Sequence, residues 1–86
     1  MKTIYKYQLA SAEENKMRLR GKILSAGVQN GSIMIWAVHD DQQPECEVTV
    51  SVMGTGHDFV NADDRDFIGT VFLGPFVFHV FASPNW

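Results

Sequence analysis

The chemistry this chain can offer rests on three histidines, one cysteine and a short run of basic residues. His57 stands beside Asp58 in the stretch Gly54-Thr55-Gly56-His57-Asp58. An imidazole titrating near neutral pH next to a carboxylate suits proton exchange. Neighbours in sequence often point apart, however, so the pair suggests acid–base work without establishing it. Gly54 and Gly56 bracket Thr55 and permit positive φ and close backbone approach, so amide groups could converge there on an anion. An ordinary strand-to-loop turn uses the same residues. The stretch is not a phosphate loop, because the required lysine and following helix are missing. His79 sits among apolar residues and reads as a hydrogen-bonded, buried histidine more readily than as a ligand. Histidine chemistry on a phosphodiester needs two such rings converging on one pocket. His57, His79 and His39 are the candidates, and only the fold can bring them together, so no catalytic residue is assigned.

Lys16, Arg18, Arg20 and Lys22 alternate with Met17 and Leu19, which places them on one face if the segment is a strand. They are four of the chain's seven Lys and Arg residues. Charges of this kind protect an edge strand from aggregation, and they also form a strip for a compact anion, with the planar forks of Arg18 and Arg20 suited to phosphate. Met34 and Trp36 form the other candidate surface. In the hairpin expected around Asn30-Gly31 they stand opposite Gly27 and Ser25, large side chains over small ones. Such a face can stack a planar ring, anchor a partner, or simply pack against a second layer. His39, Asp40 and Asp41 match no metal-ligand spacing, so neither a metal nor a cofactor is expected. Cys46 falls on the apolar side of an alternating segment and reads as a small buried hydrophobe.

Strands must position these groups. Residues 66–81 read DFIGTVFLGPFVFHVF, two apolar runs broken by Gly74-Pro75. A hairpin there pairs Leu73 with Phe76, Val71 with Phe78 and Gly69 with Val80 on one face, and Phe72, Val77, Thr70, His79, Ile68 and Phe81 on the other. Both faces are apolar, which predicts a central element covered on both sides, one cover being supplied by another subunit. Residues 3–9 and 46–53 alternate as half-buried strands. Asn30-Gly31 is the preferred pair for a type I′ turn, and that register puts Val28, Ile33, Ala26, Ile35, Leu24 and Ala37 on an apolar face. Residues 11–14 fit a capping box, yet the alternation that follows favours a turn and then a strand. Residues 39–44 and 61–66 read as polar connections, the second with room for one helical turn, and Trp86 as a residue that packs over one end or docks on a neighbour. The expectation is one all-β domain over residues 1–86: a small antiparallel β-sandwich or barrel of six to seven strands, with little or no helix.

Composition narrows the setting. The net charge of −3 argues against bulk nucleic-acid binding. One cysteine rules out an intramolecular disulfide framework, and no apolar run approaches the roughly 20 residues of a membrane span. MKTIYKYQL lacks the unbroken apolar region of a signal peptide. The expectation is a cytosolic location.

Together KTIYKYQL, GKILSAGVQNG, IWAVHD, GTGHD, FIGTVFLG and FVFHVF resemble a family of small phage and prophage proteins known only as a domain of unknown function. The resemblance covers nearly the whole chain, with GTGH and FHVF its most specific parts. It implies a strand before Gly21 and expression in an infected bacterial cell, and it supplies no catalytic residues. Small phage proteins that counter host immunity often sequester nucleotide-derived signals, and the resemblance to a phage accessory protein carries that expectation here. The leading expectation is therefore a non-enzymatic, homo-oligomeric binding protein for an anionic nucleotide-like ligand, using Arg18, Arg20, Trp36, Met34, Gly54, Thr55, Gly56 and His57. The alternatives are a protein-interaction module, as an inhibitor of a host enzyme or an assembly component, and a small phosphodiester-cleaving enzyme.

Overall fold

The computed structural model describes residues 1–10, 14–59 and 64–85. Over these the chain forms seven strands: β1 (Lys2–Leu9), β2 (Asn15–Leu19), β3 (Ile23–Gln29), β4 (Ser32–Asp40), β5 (Cys46–Gly54), β6 (Asp66–Leu73) and β7 (Phe76–Ser83). Two turns set the local hairpins. Asn30 and Gly31 have φ of 53° and 75°, the positive pair that a type I′ turn requires. Gly74 has φ of 59° at the first central position of its turn, and the ring of Pro75 fixes the next φ.

The strands pair entirely antiparallel in two sheets, ordered β1-β4-β3 and β2-β5-β7-β6. Their apolar faces meet in one core. Leu9, Ile23, Ile33, Ile35 and Ala37 come from the first sheet, and Leu19, Val48, Val50, Val52, Val71, Val80 and Ala82 from the second. Burying each larger aliphatic side chain contributes about 1.5–3 kcal/mol. The fold is the expected all-β sandwich, and the segment before Gly21 is a strand. Residues 11–13 and 61–63 and Trp86, to which a turn, a connection and a packing role were assigned, lie outside the described residues.

Two register shifts correct the expected faces. In β3 the pairing slips between Ile23 and Ser25, so that Ile23 lies opposite Ala37. Ile23 is buried, while Leu24 turns outward and is half exposed. In β6 the slip falls between Phe67 and Gly69, and Phe67, not Ile68, pairs with Phe81. β6 is also an edge strand, not a central one. Phe67 and Phe72 on the outward face remain 59% and 69% exposed, and Phe76 at the turn 61%, so among the described residues the outward face of this hairpin is only partly covered.

β4 runs on through His39 and Asp40, which were assigned to a loop. His39 stacks on Tyr5 with ring centroids 4.5 Å apart. Cys46 faces the core side but is only half-buried. The outer face of β5 is covered as well: Ser51 and Met53 are 1% and 4% exposed. Over it, Phe59 meets Phe81 edge-on at 4.7 Å, and Arg65 donates through Nη1 to the Ser51 hydroxyl.

The chain crosses from one sheet to the other at Gly21. A Cβ there would lie 2.3 Å from the Val38 carbonyl oxygen, so only glycine fits. On either side of it the backbone is tied to β4, with the Val38 amide donating to the Lys22 carbonyl and the Asp40 amide to the Arg20 carbonyl, both at 2.9 Å.

Candidate functional site

Gly54 ends β5 opposite Phe78 of β7, one step beyond the Val52–Val80 pair. Alternation keeps this row on the core face, but at Gly54 the row has no side chain. The His57 amide donates to the Gly54 carbonyl at 3.1 Å, and Gly56, at φ 89°, lets the chain double back. His57 thereby lays its ring against Gly54: a Cβ at that position would stand 2.8 Å from Cε1 and 2.9 Å from Nδ1.

Two hollows open beside this ring. One, of about 560 Å³, is lined by Val52, Met53, Gly54, Gly56, His57, Asp58 and Phe78. The other, of about 440 Å³, is lined by Gly54, Thr55, His57, Pro75, Phe76, Val77 and Phe78. Gly54, His57 and Phe78 border both, so the imidazole stands between two adjoining hollows that line a trough-like end of the sheet. Phe76 and Phe78 lie with ring centroids 6.1 Å apart and planes tilted by 36°. The trough offers aromatic surface, an imidazole and the Asp58 carboxylate, a set suited to holding a small ring compound through stacking and hydrogen bonds.

His79 belongs to the other side of the sheet. It pairs with Met53 and Thr70 in the outward row and borders neither hollow. Thr55 Oγ1 lies 2.8 Å from its Nε2 and Thr70 Oγ1 3.1 Å from its Nδ1. His79 is thus hydrogen-bonded as expected, though only half-buried where a buried ring was expected, and it shares neither hollow with His57.

Of the eight residues proposed from sequence, Gly54, Thr55, Gly56 and His57 come together here. The other four do not join them. β2 ends at Leu19, so Lys16, Arg18, Arg20 and Lys22 do not share a continuous strand face. Arg18 lies 3.4 Å from Glu45, both exposed, and Arg20 donates to the Gln43 carbonyl at 2.8 Å. Met34 and Trp36 stand on the outer face of the first sheet, opposite Gly27 and Ser25 as expected. The shallow floor is already filled, however. Trp36 leans over Gly27, where a Cβ would lie 3.1 Å from Cζ3. Met34 is 8% exposed, in the strand bridged by the hydrogen bond from Lys6 of β1 to Gln29 of β3.

Phe76 and Phe78 were placed on a core face by sequence, and their part in the trough was missed. The signal was their i, i+2 spacing next to a turn, readable only once β5 is known to pair with β7. Arg65 was missed too: its side chain is 9% exposed, with Nη2 3.3 Å from Glu14.

Fold and site together define a small two-sheet β-sandwich with an aromatic trough at the end of β5 and β7. The chain belongs to the family described as Domain of unknown function (DUF7352), whose model matches residues 1–85. No curated protein and no solved structure matches it. No helix among the described residues is long and apolar enough to cross a membrane.

Proposed function

We propose that this protein is a non-enzymatic binding module that sequesters a nucleotide-derived small molecule in the cytoplasm of a phage-infected bacterium, with the trough around His57 as its receptor. The observation that carries the reading is the open end of the Val52–Gly54 row, where a glycine floor, the His57 ring and two phenylalanines bound hollows of about 560 and 440 Å³. Ligand pockets commonly span about 300–1,000 Å³, and stacking a base on an aromatic side chain contributes about 1–3 kcal/mol. Sequestration needs affinity alone, which fits hollows bordered by His57 and not by His79. Arg18 and Arg20 lie outside the trough, so recognition there falls to ring stacking, the imidazole and the backbone of the 54–58 turn.

The test is thermal unfolding against a panel of cyclic nucleotides, mononucleotides and ADP-ribose derivatives, followed by recovery of the compound. A ligand at 100 times its dissociation constant adds about 2.7 kcal/mol, which raises Tm by several degrees in a domain of this size. Phe76→Ala should remove the shift, and its exposure means that the fold survives. No shift across the panel refutes the reading, and recovery of a converted compound replaces it with an enzyme.

A second reading has its own observation. Phe67, Phe72 and Phe76 are exposed on one hairpin, and no Lys, Arg, Asp or Glu occurs from Phe67 to Ala82. Edge strands usually carry such charges. This favours a protein-interaction surface, whether for self-association or for a host protein. Light scattering of wild type against Phe72→Glu measures self-association directly.

A further inference from the structure

We infer that His79 is a positioning residue for the trough, acting through Thr55 from the opposite face of β7. The inference rests on the trough being the working site, but its own test needs no ligand.

The hydrogen bonds define a chain. Thr55 is docked on β7 twice, its amide 3.2 Å and its hydroxyl 3.4 Å from the Val77 carbonyl oxygen. The same hydroxyl lies 2.8 Å from His79 Nε2, and Thr70 Oγ1 lies 3.1 Å from Nδ1. A hydroxyl has a single proton to give. If Thr55 gives it to Val77, its oxygen accepts from an Nε2–H, and Nδ1 accepts from Thr70. That arrangement makes all three side-chain bonds. If Thr55 instead donates to Nε2, the proton sits on Nδ1, only two bonds form, and the Val77 contact is lost. Of the two single-proton tautomers, the geometry therefore selects the one with its proton on Nε2, donating to Thr55.

Thr55 is exposed and lies between the floor residue Gly54 and His57. Holding it on β7 fixes where the turn leaves the sheet, and so where the His57 ring rests. Side chains that orient a working group by hydrogen bonding are a common way to pre-organise a site. Here the support comes through the sheet: alternate residues of β7 serve the two faces, Phe78 walling the trough and His79 fastening the loop behind it.

The experiment uses isotope-labelled protein at neutral pH. Long-range proton–nitrogen spectra should show the Nε2–H tautomer of His79. Thr55→Val should accelerate amide exchange at Thr55 and His57 about tenfold, equivalent to about 1.4 kcal/mol. It should also broaden the His57 ring signals while leaving the Val50 and Val80 amides unchanged. Thr55→Ser should restore wild-type behaviour. His79→Gln, whose amide can still donate to Thr55, should retain most of the loop order that His79→Leu loses. An Nδ1–H tautomer, unchanged exchange in Thr55→Val, or equal behaviour of the Gln and Leu variants would overturn the inference. A ligand-free failure of this kind leaves the nucleotide panel untouched, so the two readings fail separately.

Discussion

Replacing Gly21 by alanine tests the crossing between the sheets. The new Cβ would stand 2.3 Å from the Val38 carbonyl oxygen and 2.9 Å from its carbon. Both are backbone atoms, so no side-chain rotation relieves the clash, and the strands must separate by about 1 Å to reach an ordinary contact. Separation strains the two 2.9 Å hydrogen bonds that flank the site, from Val38 to Lys22 and from Asp40 to Arg20. Losing both costs about 1–3 kcal/mol, and the reduced freedom of the unfolded chain returns about 0.4–1 kcal/mol. From the middle of these ranges the expected net loss is about 1 kcal/mol, or roughly 4–8 °C in Tm for a domain of this size. Urea unfolding should show a lower midpoint at an unchanged m-value, the mark of a change in stability without a change in the surface exposed on unfolding. Gly69→Ala is the control, because its Cβ meets nothing nearer than Ala26 at 3.8 Å. A Tm within 2 °C of wild type for Gly21→Ala would refute the reasoning.

Other outcomes follow from the same geometry. Ser51→Ala removes the hydroxyl that accepts from the buried Arg65 guanidinium and should cost about 1.5–3 kcal/mol, read by chemical denaturation. Gly54→Ala drives a methyl against the His57 ring at 2.8 Å. It should weaken any trough ligand about tenfold or more while leaving stability within about 1 kcal/mol, since the ring can swing aside. Burial, followed by the charge of Tyr5, pushes the Tyr7 phenol above its ordinary value. Its contribution to stability is therefore complete below pH about 10 and is lost as the pH rises through the higher folded value. Absorbance titration near 295 nm should show one tyrosine ionising late, and Tyr7→Phe should remove that step.

The parts of the fold legible in the sequence were those with a local physical cause. Asn30-Gly31 and Gly74-Pro75 announce their turns because few residues tolerate positive φ. Val48, Val50 and Val52 announce their face because polar residues alternate with them. The two bulges left no trace for an equally physical reason. Each falls where two large apolar residues adjoin, Ile23-Leu24 and Phe67-Ile68, so a slip of one residue leaves the pattern apolar on either side. At the site, glycine spacing marked the 54–57 turn, but its wall of Phe76 and Phe78 depends on a pairing distant in sequence. The basic run misled because alternation was continued past Leu19, where the chain leaves the sheet.

The strand order also has a temporal consequence. The β3–β4 and β6–β7 hairpins join neighbours in sequence, whereas β1 waits for β4, β2 for β5 and β5 for β7. Long loops must close before those later pairings are rewarded. The hairpins are thus placed to form early, and the trough, which needs β5 seated beside β7, exists only after a non-local closure. A compound held there binds a structure completed late in folding, so its presence should slow unfolding and leave the folding rate nearly unchanged.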